Sequence, residues 1–245
     1  MKAVILAAGK GTRIRSVHGE RPKCLIEVDN TTILDHQLNA LAMVGINDIA
    51  IVVGYEKEQI IAHVNAMKLI TQNIHFIENT VFASTNNIYS LWLALDWLRG
   101  DSFIVLNADT IFDPEILHFA LRPYAPISLS VDPLWRDETT KVVIVDDHVI
   151  RVSKKVSREE FSGTSIGITV FCKAIQDRFF RKMDDLIAAS QVNELFTVAV
   201  EELANEGVPV GFTSTDGLAW AEIDDPVDLT FAQQNVFPQL AIAVI

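Results

Sequence analysis

Cysteine is nearly absent: Cys24 and Cys172 are the only two in 245 residues. They lie far apart, in apolar contexts and with no metal-motif spacing, so the expectation is two buried, reduced thiols. No uninterrupted apolar run reaches membrane-spanning length, and the first apolar segment leads directly into charged residues rather than a cleavage site. Neither a membrane protein nor a secretory precursor is therefore expected, and the cytoplasm is the expected compartment. Positive charge is scarce too, 20 Lys and Arg against 32 Asp and Glu for a net charge of −12, which argues against a nucleic-acid partner. Internal repeats, low-complexity tracts and Pro/Gly/Ser-rich linkers are all missing, so one domain over residues 1–245 is the simplest organisation.

The few cations are not evenly spread. Lys2, Lys10, Arg13, Arg15, Arg21 and Lys23 crowd the N-terminal stretch, where only Glu20 opposes them. They surround LAAGKGTRIRSVHGERPK, in which the apolar run Lys2 to Ala8 reads as a buried parallel strand and Gly9 and Gly11 permit a tight turn with inward-facing N–H groups. Such a loop cradles phosphate oxygens. Thr12, Arg13 and Arg15 follow at once and Lys23 comes ten residues after Arg13, so cations can close on a triphosphate from two sides. Other glycine motifs fail on the letters: a dinucleotide fingerprint needs a small residue where Ile14 stands, and the Gly-Lys-Ser/Thr of a Walker loop is absent.

With 49% hydrophobic residues the chain can bury a sizeable core, and strand and helix patterns alternate through its first half, the signature of a parallel sheet covered on both faces. Helices are predicted over Asn30–Val44, Glu56–Met67 and from a Ser84 or Thr85 cap through Leu98, with strands at Asp48–Gly54, Asn73–Ile77 and Ser102–Asn107. From Ile127 the strands shorten and alternate, at Lys141–Val145, Val149–Val152 and Gly163–Phe171, so this part is mixed. Further helices are expected at Ala174–Ala189, Asn193–Glu206 and from Pro226, with a strand at Val210–Thr213. The apolar tail Gln239–Ile245 is expected to pack on the body or on a neighbouring subunit.

The segments GxGTR…RPK, VGYEKEQI, TNNIYSLWLA, VLNADTIF, KVVIVDDHVIRVSK, SGTSIGITVF and WAEIDDPVDL resemble, in order, those of the sugar-phosphate nucleotidyltransferase superfamily. Within it, TNNIYSL and AEIDDPVDL are most similar to bacterial phosphocholine and 2-aminoethylphosphonate cytidylyltransferases. The resemblance implies a mostly parallel, Rossmann-like α/β fold with a small mixed β annex, a nucleotide-binding half over about 1–125 and an acceptor-binding half over about 126–245. It also implies Mg²⁺-dependent attack of a phosphorylated acceptor on an NTP, CTP above others, with release of pyrophosphate. A homo-oligomer is compatible with it.

Residue chemistry points the same way. Asp109 ends a strand, where ligands of open α/β sheets collect, and its carboxylate suits Mg²⁺. Glu222 and Asp224 add two carboxylates at a spacing that places both on one face of a strand, while Asp113 and Asp225, each before a proline, read as helix caps. The resemblance implies that Asp109 and Asp224 hold the metal with Glu222 close by, that Lys23 lies on the acceptor side of the α-phosphate, and that Arg13 and the loop from Leu6, Ala7 and Ala8 through Gly9, Gly11 and Thr12 hold the nucleotide. No Ser-His-Asp or Cys-His set is needed, because a phosphomonoester with a second pKa near ~6 is already mostly dianionic at neutral pH. Asn86 and Asn87 either read a base edge or cap a helix, and Tyr89 and Trp92 fit core positions. At the acceptor end the resemblance places Trp135, Glu194 and Phe196, with Trp220 as a further aromatic wall for an ammonium head group. Thr197 and Val198 stand where relatives often carry an acidic pair, which leaves phosphocholine, aminoethylphosphonate and other phosphorylated small molecules open.

Overall fold

Alternate residues of the first strand go to opposite cores. In a computed structural model, which describes residues 1–67 and 72–240, Ala3, Ile5 and Ala7 pack on one face of the sheet and Val4, Leu6 and Ala8 on the other, the period-2 consequence of a strand buried on both sides. That strand is β1 (Lys2–Ala7), followed by α1 (Arg15–His18), β2 (Glu27–Val28), β3 (Thr31–Thr32), α2 (Ile33–Met43), β4 (Asp48–Val53), α3 (Lys57–Ala66), β5 (Asn73–Glu78) and α4 (Asn87–Leu98). The chain continues through β6 (Phe103–Asn107), β7 (Thr110–Phe112), α5 (Glu115–Ala120), β8 (Ile127–Asp132), β9 (Lys141–Val145), β10 (His148–Ser153) and β11 (Gly163–Phe171). It closes with α6 (Gln176–Ala188), α7 (Thr197–Asn205), β12 (Val210–Ser214), β13 (Trp220–Glu222) and α8 (Pro226–Phe231).

One nine-stranded sheet runs β10-β9-β11-β6-β1-β4-β5, with β8 and β12 attached at β11. β5, β4, β1 and β6 are parallel. The mixed β part joins this parallel core through β11, which runs antiparallel to β6, β8 and β9. Helices α4, α6 and α7 cover one face and α2, α3 and α5 the other, so both faces are dry, as the apolar strands require. None of the described helices is long and apolar enough to cross a membrane.

Local chemistry sets most boundaries and corrects three expectations. Thr32 and Asp35 form a capping box on α2, and Asp225 and Asp228 form one on α8 with Pro226 at the first helical position. The cap of α4 is Asn86 rather than Ser84 or Thr85, whose hydroxyls donate to the Val81 carbonyl instead. The helix expected from Asn193 starts only at Thr197, because residues 192–194 are hydrogen-bonded to the start of α4. Asp146 and Asp147 turn the β9–β10 hairpin with φ of 47° and 60°. Cys24 is buried but Cys172 is only half-buried; both are free thiols. Of the tail Gln239–Ile245, residues 241–245 lie outside the described residues.

β11 changes register on β8 between Ser165 and Thr169, and Gly167 sits in that irregular stretch with φ +81°. A Cβ there would lie 2.9 Å from Asn107 Nδ2, at the end of β6. Gly167→Ala should therefore cost about 1–3 kcal/mol, from the left-handed backbone and the crowding of Asn107 together. A urea-denaturation midpoint within error of wild type would show that the strand relaxes without penalty.

Candidate active site

Where β1 and β6 end side by side in the parallel sheet, their C-terminal loops open two adjoining cavities. The smaller, about 250 Å³, is lined by Gly9, Gly11, Thr12, Arg13, Lys23 and Asp109 among others, and the larger, about 590 Å³, reaches from Leu6 and Ala8 to Asn86, Glu194 and Phe196. Leu6, Gly9, Arg13, Asp109 and Asp224 line both. Ala7 lines the smaller and Asn87 the larger.

Gly11 carries the turn of the glycine loop. Its φ is +55° and a Cβ would come 3.2 Å from Lys23 Cβ, so the left-handed conformation and the close lysine stem both call for glycine. Gly9 is different: it is not left-handed, and a Cβ on it would project into open space. Lys23 follows Pro22 on a single 3₁₀ turn, Lys23–Leu25, that feeds its side chain back under the loop.

Three carboxylates converge beside it. Glu222 pairs with Thr110 across β13 and β7, and the Ile223 N–H donates to the Asp109 carbonyl at 2.9 Å, which pins the two acidic segments together. Asp228, from the capping box of α8, accepts from the Asp224 N–H at 2.9 Å and fixes the turn that presents Asp224. From beneath, the fully buried Gln37 donates to the carbonyls of Asn107 and Thr110, both at 2.8 Å, and holds the turn that carries Asp109. The result is a trio, Asp109, Glu222 and Asp224, with one ligand atom of each within 4.8 Å of the others. Glu222 and Asp224 do meet, although the strand ends at Glu222 and a capped turn rather than strand alternation supplies the geometry.

Two cations answer this charge. Lys23 Nζ donates to Asp109 Oδ2 at 2.8 Å and to Asp224 Oδ1, and the Arg13 guanidinium donates to Asp224 Oδ2 at 2.6 Å and to Glu138 Oε2 at 2.7 Å. Burial alone would depress the Lys23 ammonium, but Asp109 and Asp224 outweigh it and hold its pKa above the ordinary lysine value. Asp224 is likewise held below the usual carboxylate range, since Lys23 and Arg13 overcome its desolvation. Glu222 has no such partner at hydrogen-bond distance: burial, with Asp109 and Asp224 adding repulsion, pushes it up to about 8. Asp109 Oδ1 is buried without any hydrogen-bond partner. An orphaned carboxylate oxygen and a glutamic acid forced toward neutrality mark a site short of positive charge, and an all-oxygen donor set suits a hard divalent cation. Cys24 lines the smaller cavity but is no thiolate there; burial raises it to about 12.

The asparagine pair does structural work. Asn86 caps α4 and its Nδ2 donates to the Asn193 carbonyl at 3.2 Å; Asn87 Oδ1 accepts from the Phe196 N–H at 2.8 Å. Glu194 and Phe196 thereby join the wall of the larger cavity. Trp135 is not brought there. Its ring packs on Phe161 and lies between Arg158 and Lys141, 4.6 and 4.8 Å from the centroid, so the chain's own cations take its faces. Trp220 is buried under the Arg136 guanidinium, its indole N–H donating to Asp132 at 2.8 Å, and is equally removed from the cavities. Tyr89 and Trp92 are only partly buried. Sequence reasoning missed Asn107, Lys154 and Lys155 in the larger cavity. Lys154 ends the segment KVVIVDDHVIRVSK and Asn107 lies within VLNADTIF, so a signal was present for both, although neither residue was singled out.

The chain as a whole has relatives among known proteins. The chain is similar to the CMP-5'-(3-aminopropyl)phosphonate synthase of Streptomyces rubellomurinus, 29% identical over 238 residues, but spans only 37% of that protein's length while 93% of this chain is covered. It is 24% identical over 252 residues to the CTP:phosphoglutamine cytidylyltransferase of Campylobacter jejuni, covering 94% of this chain and 98% of that one. Among solved structures it superposes on a CTP:phosphocholine cytidylyltransferase of Streptococcus pneumoniae with a TM-score of 0.75 at 26% identity, over 95% of this chain and 97% of the other. Residues 3–153, which hold the glycine loop, Lys23 and Asp109, match the MobA-like NTP transferase domain, and the chain therefore belongs to that family of nucleotidyltransferases.

Proposed function

We propose that this nucleotidyltransferase uses CTP and Mg²⁺ to transfer CMP onto a phosphorylated or phosphonylated small molecule, releasing pyrophosphate. The observation that carries the reading is Lys23 and Arg13 facing Asp109 and Asp224 where the two cavities adjoin. The smaller cavity suits a triphosphate and the larger a nucleoside with its acceptor. An acceptor phosphate oxygen attacks the α-phosphorus, and the bond to the bridging oxygen of pyrophosphate breaks. Arg13 and the glycine loop hold the departing phosphates, and Lys23 offsets the charge that accumulates as two anions meet. Lys154, exposed on the larger cavity, is placed to receive the acceptor phosphate. Asp109, Glu222 and Asp224 would hold the metal, whose chemistry is to neutralise phosphate charge and fix the reacting groups. The CTP-linked names of the relatives support the choice of base.

A second acceptor class is favoured by one observation. With Trp135 and Trp220 elsewhere, the larger cavity offers hydroxyls of Thr140, Ser153, Ser165, Thr169 and Thr197 in place of open indole faces, which suits a sugar or polyol phosphate. Pyrophosphate release across CTP, UTP, dTTP and GTP, each with phosphocholine, 2-aminoethylphosphonate and glucose 1-phosphate, separates the two. The expected result is highest kcat/KM for CTP with an amine-bearing acceptor. Turnover confined to glucose 1-phosphate establishes the sugar reading, and tight NTP binding without pyrophosphate from any pair points to a nucleotide-sensing subunit.

Glu138 competes with phosphate for Arg13. Its side chain is 75% exposed and that of Arg13 52% exposed, so the pair is worth only ~0.2–1 kcal/mol. Glu138→Gln is accordingly expected to lower the KM for CTP by about 1.4- to 5-fold, with kcat little changed. A raised KM would mean that Glu138 assists nucleotide binding.

A further inference from the structure

The two sides of the larger cavity are joined by hydrogen bonds that its lining alone does not require. Helix N-termini leave their first N–H groups without intrahelical partners, and at α4 the N–H groups of the cap residue Asn86 and of Ile88 are spent on a distant segment. The Asn86 N–H donates to the Val192 carbonyl at 2.8 Å and the Ile88 N–H to the Glu194 carbonyl at 3.4 Å. Asn86 Nδ2 reaches the Asn193 carbonyl at 3.2 Å, and the Phe196 N–H donates to Asn87 Oδ1 at 2.8 Å. Because the Phe196 partner is a peptide N–H, the Asn87 atom facing it must be the amide oxygen, which fixes the side-chain orientation. Phe196 in turn is buried among the side chains packed on the sheet and immediately precedes α7.

We propose that Asn87 is a positioning residue that clamps the segment carrying Glu194 and Phe196 to the start of α4, so that a nucleotide bound in the larger cavity orders that part of its wall. The inference rests on the nucleotidyltransferase reading above for its ligand, and on geometry alone for the clamp. Only the Asn87 bond to Phe196 comes from a side chain that a substitution removes without touching the α4 backbone. An aspartate keeps an acceptor oxygen in the same place; an alanine does not.

Amide hydrogen exchange at Phe196 in the whole chain, with and without CTP and Mg²⁺, tests this. In wild type saturating CTP should slow exchange at Phe196 further, because a bound nucleotide stabilises the clamped form against local opening. Asn87→Ala should speed exchange at Phe196 in the free protein by roughly fivefold, the factor that one net hydrogen bond supports, and abolish its response to saturating CTP. Asn87→Asp should restore both the protection and the response, with thermal melting establishing that all three proteins are folded. Unchanged exchange in free Asn87→Ala would overturn the clamp. Loss of CTP affinity by more than about tenfold would make Asn87 a base contact instead. Wild type that binds CTP with no change at Phe196 would overturn the coupling and leave the proposed function standing. Failure of wild type to bind CTP would count against that function, and the free-protein comparison would still decide the clamp.

Discussion

Asp224→Asn should lower turnover by at least about a hundredfold while leaving the fold intact. The residue stands at the centre of the charge arrangement: it meets Lys23 and Arg13, lies within 4.8 Å of ligand atoms on Asp109 and Glu222, and faces both cavities. An amide of the same shape keeps the backbone bond to Asp228 but forfeits the negative charge that holds Arg13 and Lys23 and that would hold the proposed divalent cation. Losing a single preorganised charge-stabilising group costs on the order of 10²–10³ in rate, and this one touches two cations as well as belonging to the proposed metal site. The fold is spared because Lys23 keeps Asp109 as its partner. The measurement is kcat for pyrophosphate release over a Mg²⁺ titration, with thermal melting alongside. Wild-type activity of the variant at low Mg²⁺ would remove Asp224 from the metal site; the same series on Asp109→Asn tests the other ligand.

The second large effect is expected at Lys23. Replacing it by alanine should reduce kcat by roughly 10²–10³ while the Kd for CTP weakens less than about tenfold, because its ammonium counts most when an acceptor anion crowds the α-phosphate. The structure adds a consequence that separates this from simple misfolding. In the free protein Lys23 neutralises Asp109 and Asp224, and its side chain is only 14% exposed, so its removal leaves Asp109 without its cation and Asp224 with Arg13 alone. Mg²⁺ should therefore raise the melting temperature of Lys23→Ala more than that of wild type. Unchanged turnover would take Lys23 out of the mechanism, and equal stabilisation of the two proteins would show that the carboxylates do not await a cation.

Local rules were enough for the parallel half of the fold. β1 emerges one residue shorter than the apolar run that announced it, and α2, expected over Asn30–Val44, runs from Ile33 to Met43. They failed where a partner distant in sequence decides. Residues 193–196 have helical composition, yet they are recruited by the start of α4, more than 100 residues earlier in the chain, where the Asn86 side chain and the Ile88 N–H donate to their carbonyls and Asn87 Oδ1 accepts from the Phe196 N–H. The acceptor-side aromatics show the same limit. An indole face attracts any cation, and from the letters alone a ligand's ammonium and the chain's own Arg158 and Lys141 are equivalent.

What the sequence determined by itself is what short-range chemistry dictates: the buried strands, the tight glycine turn after β1, the cap at Asp225, and the presence of a glycine loop followed closely by cations. The tertiary structure alone decided which of those groups meet. Asp109 and Asp224 are separated by 115 positions, and they come together because β7 and β13 pair and the Ile223 N–H binds the Asp109 carbonyl. Lys154 reaches the larger cavity because β10 follows β9 on a sheet continuous with β11 and β6. Side-chain identity fixes what a group can do within a few ångströms, but sheet pairing and burial set which groups are within that range, and therefore which charges are offset and which remain for a ligand.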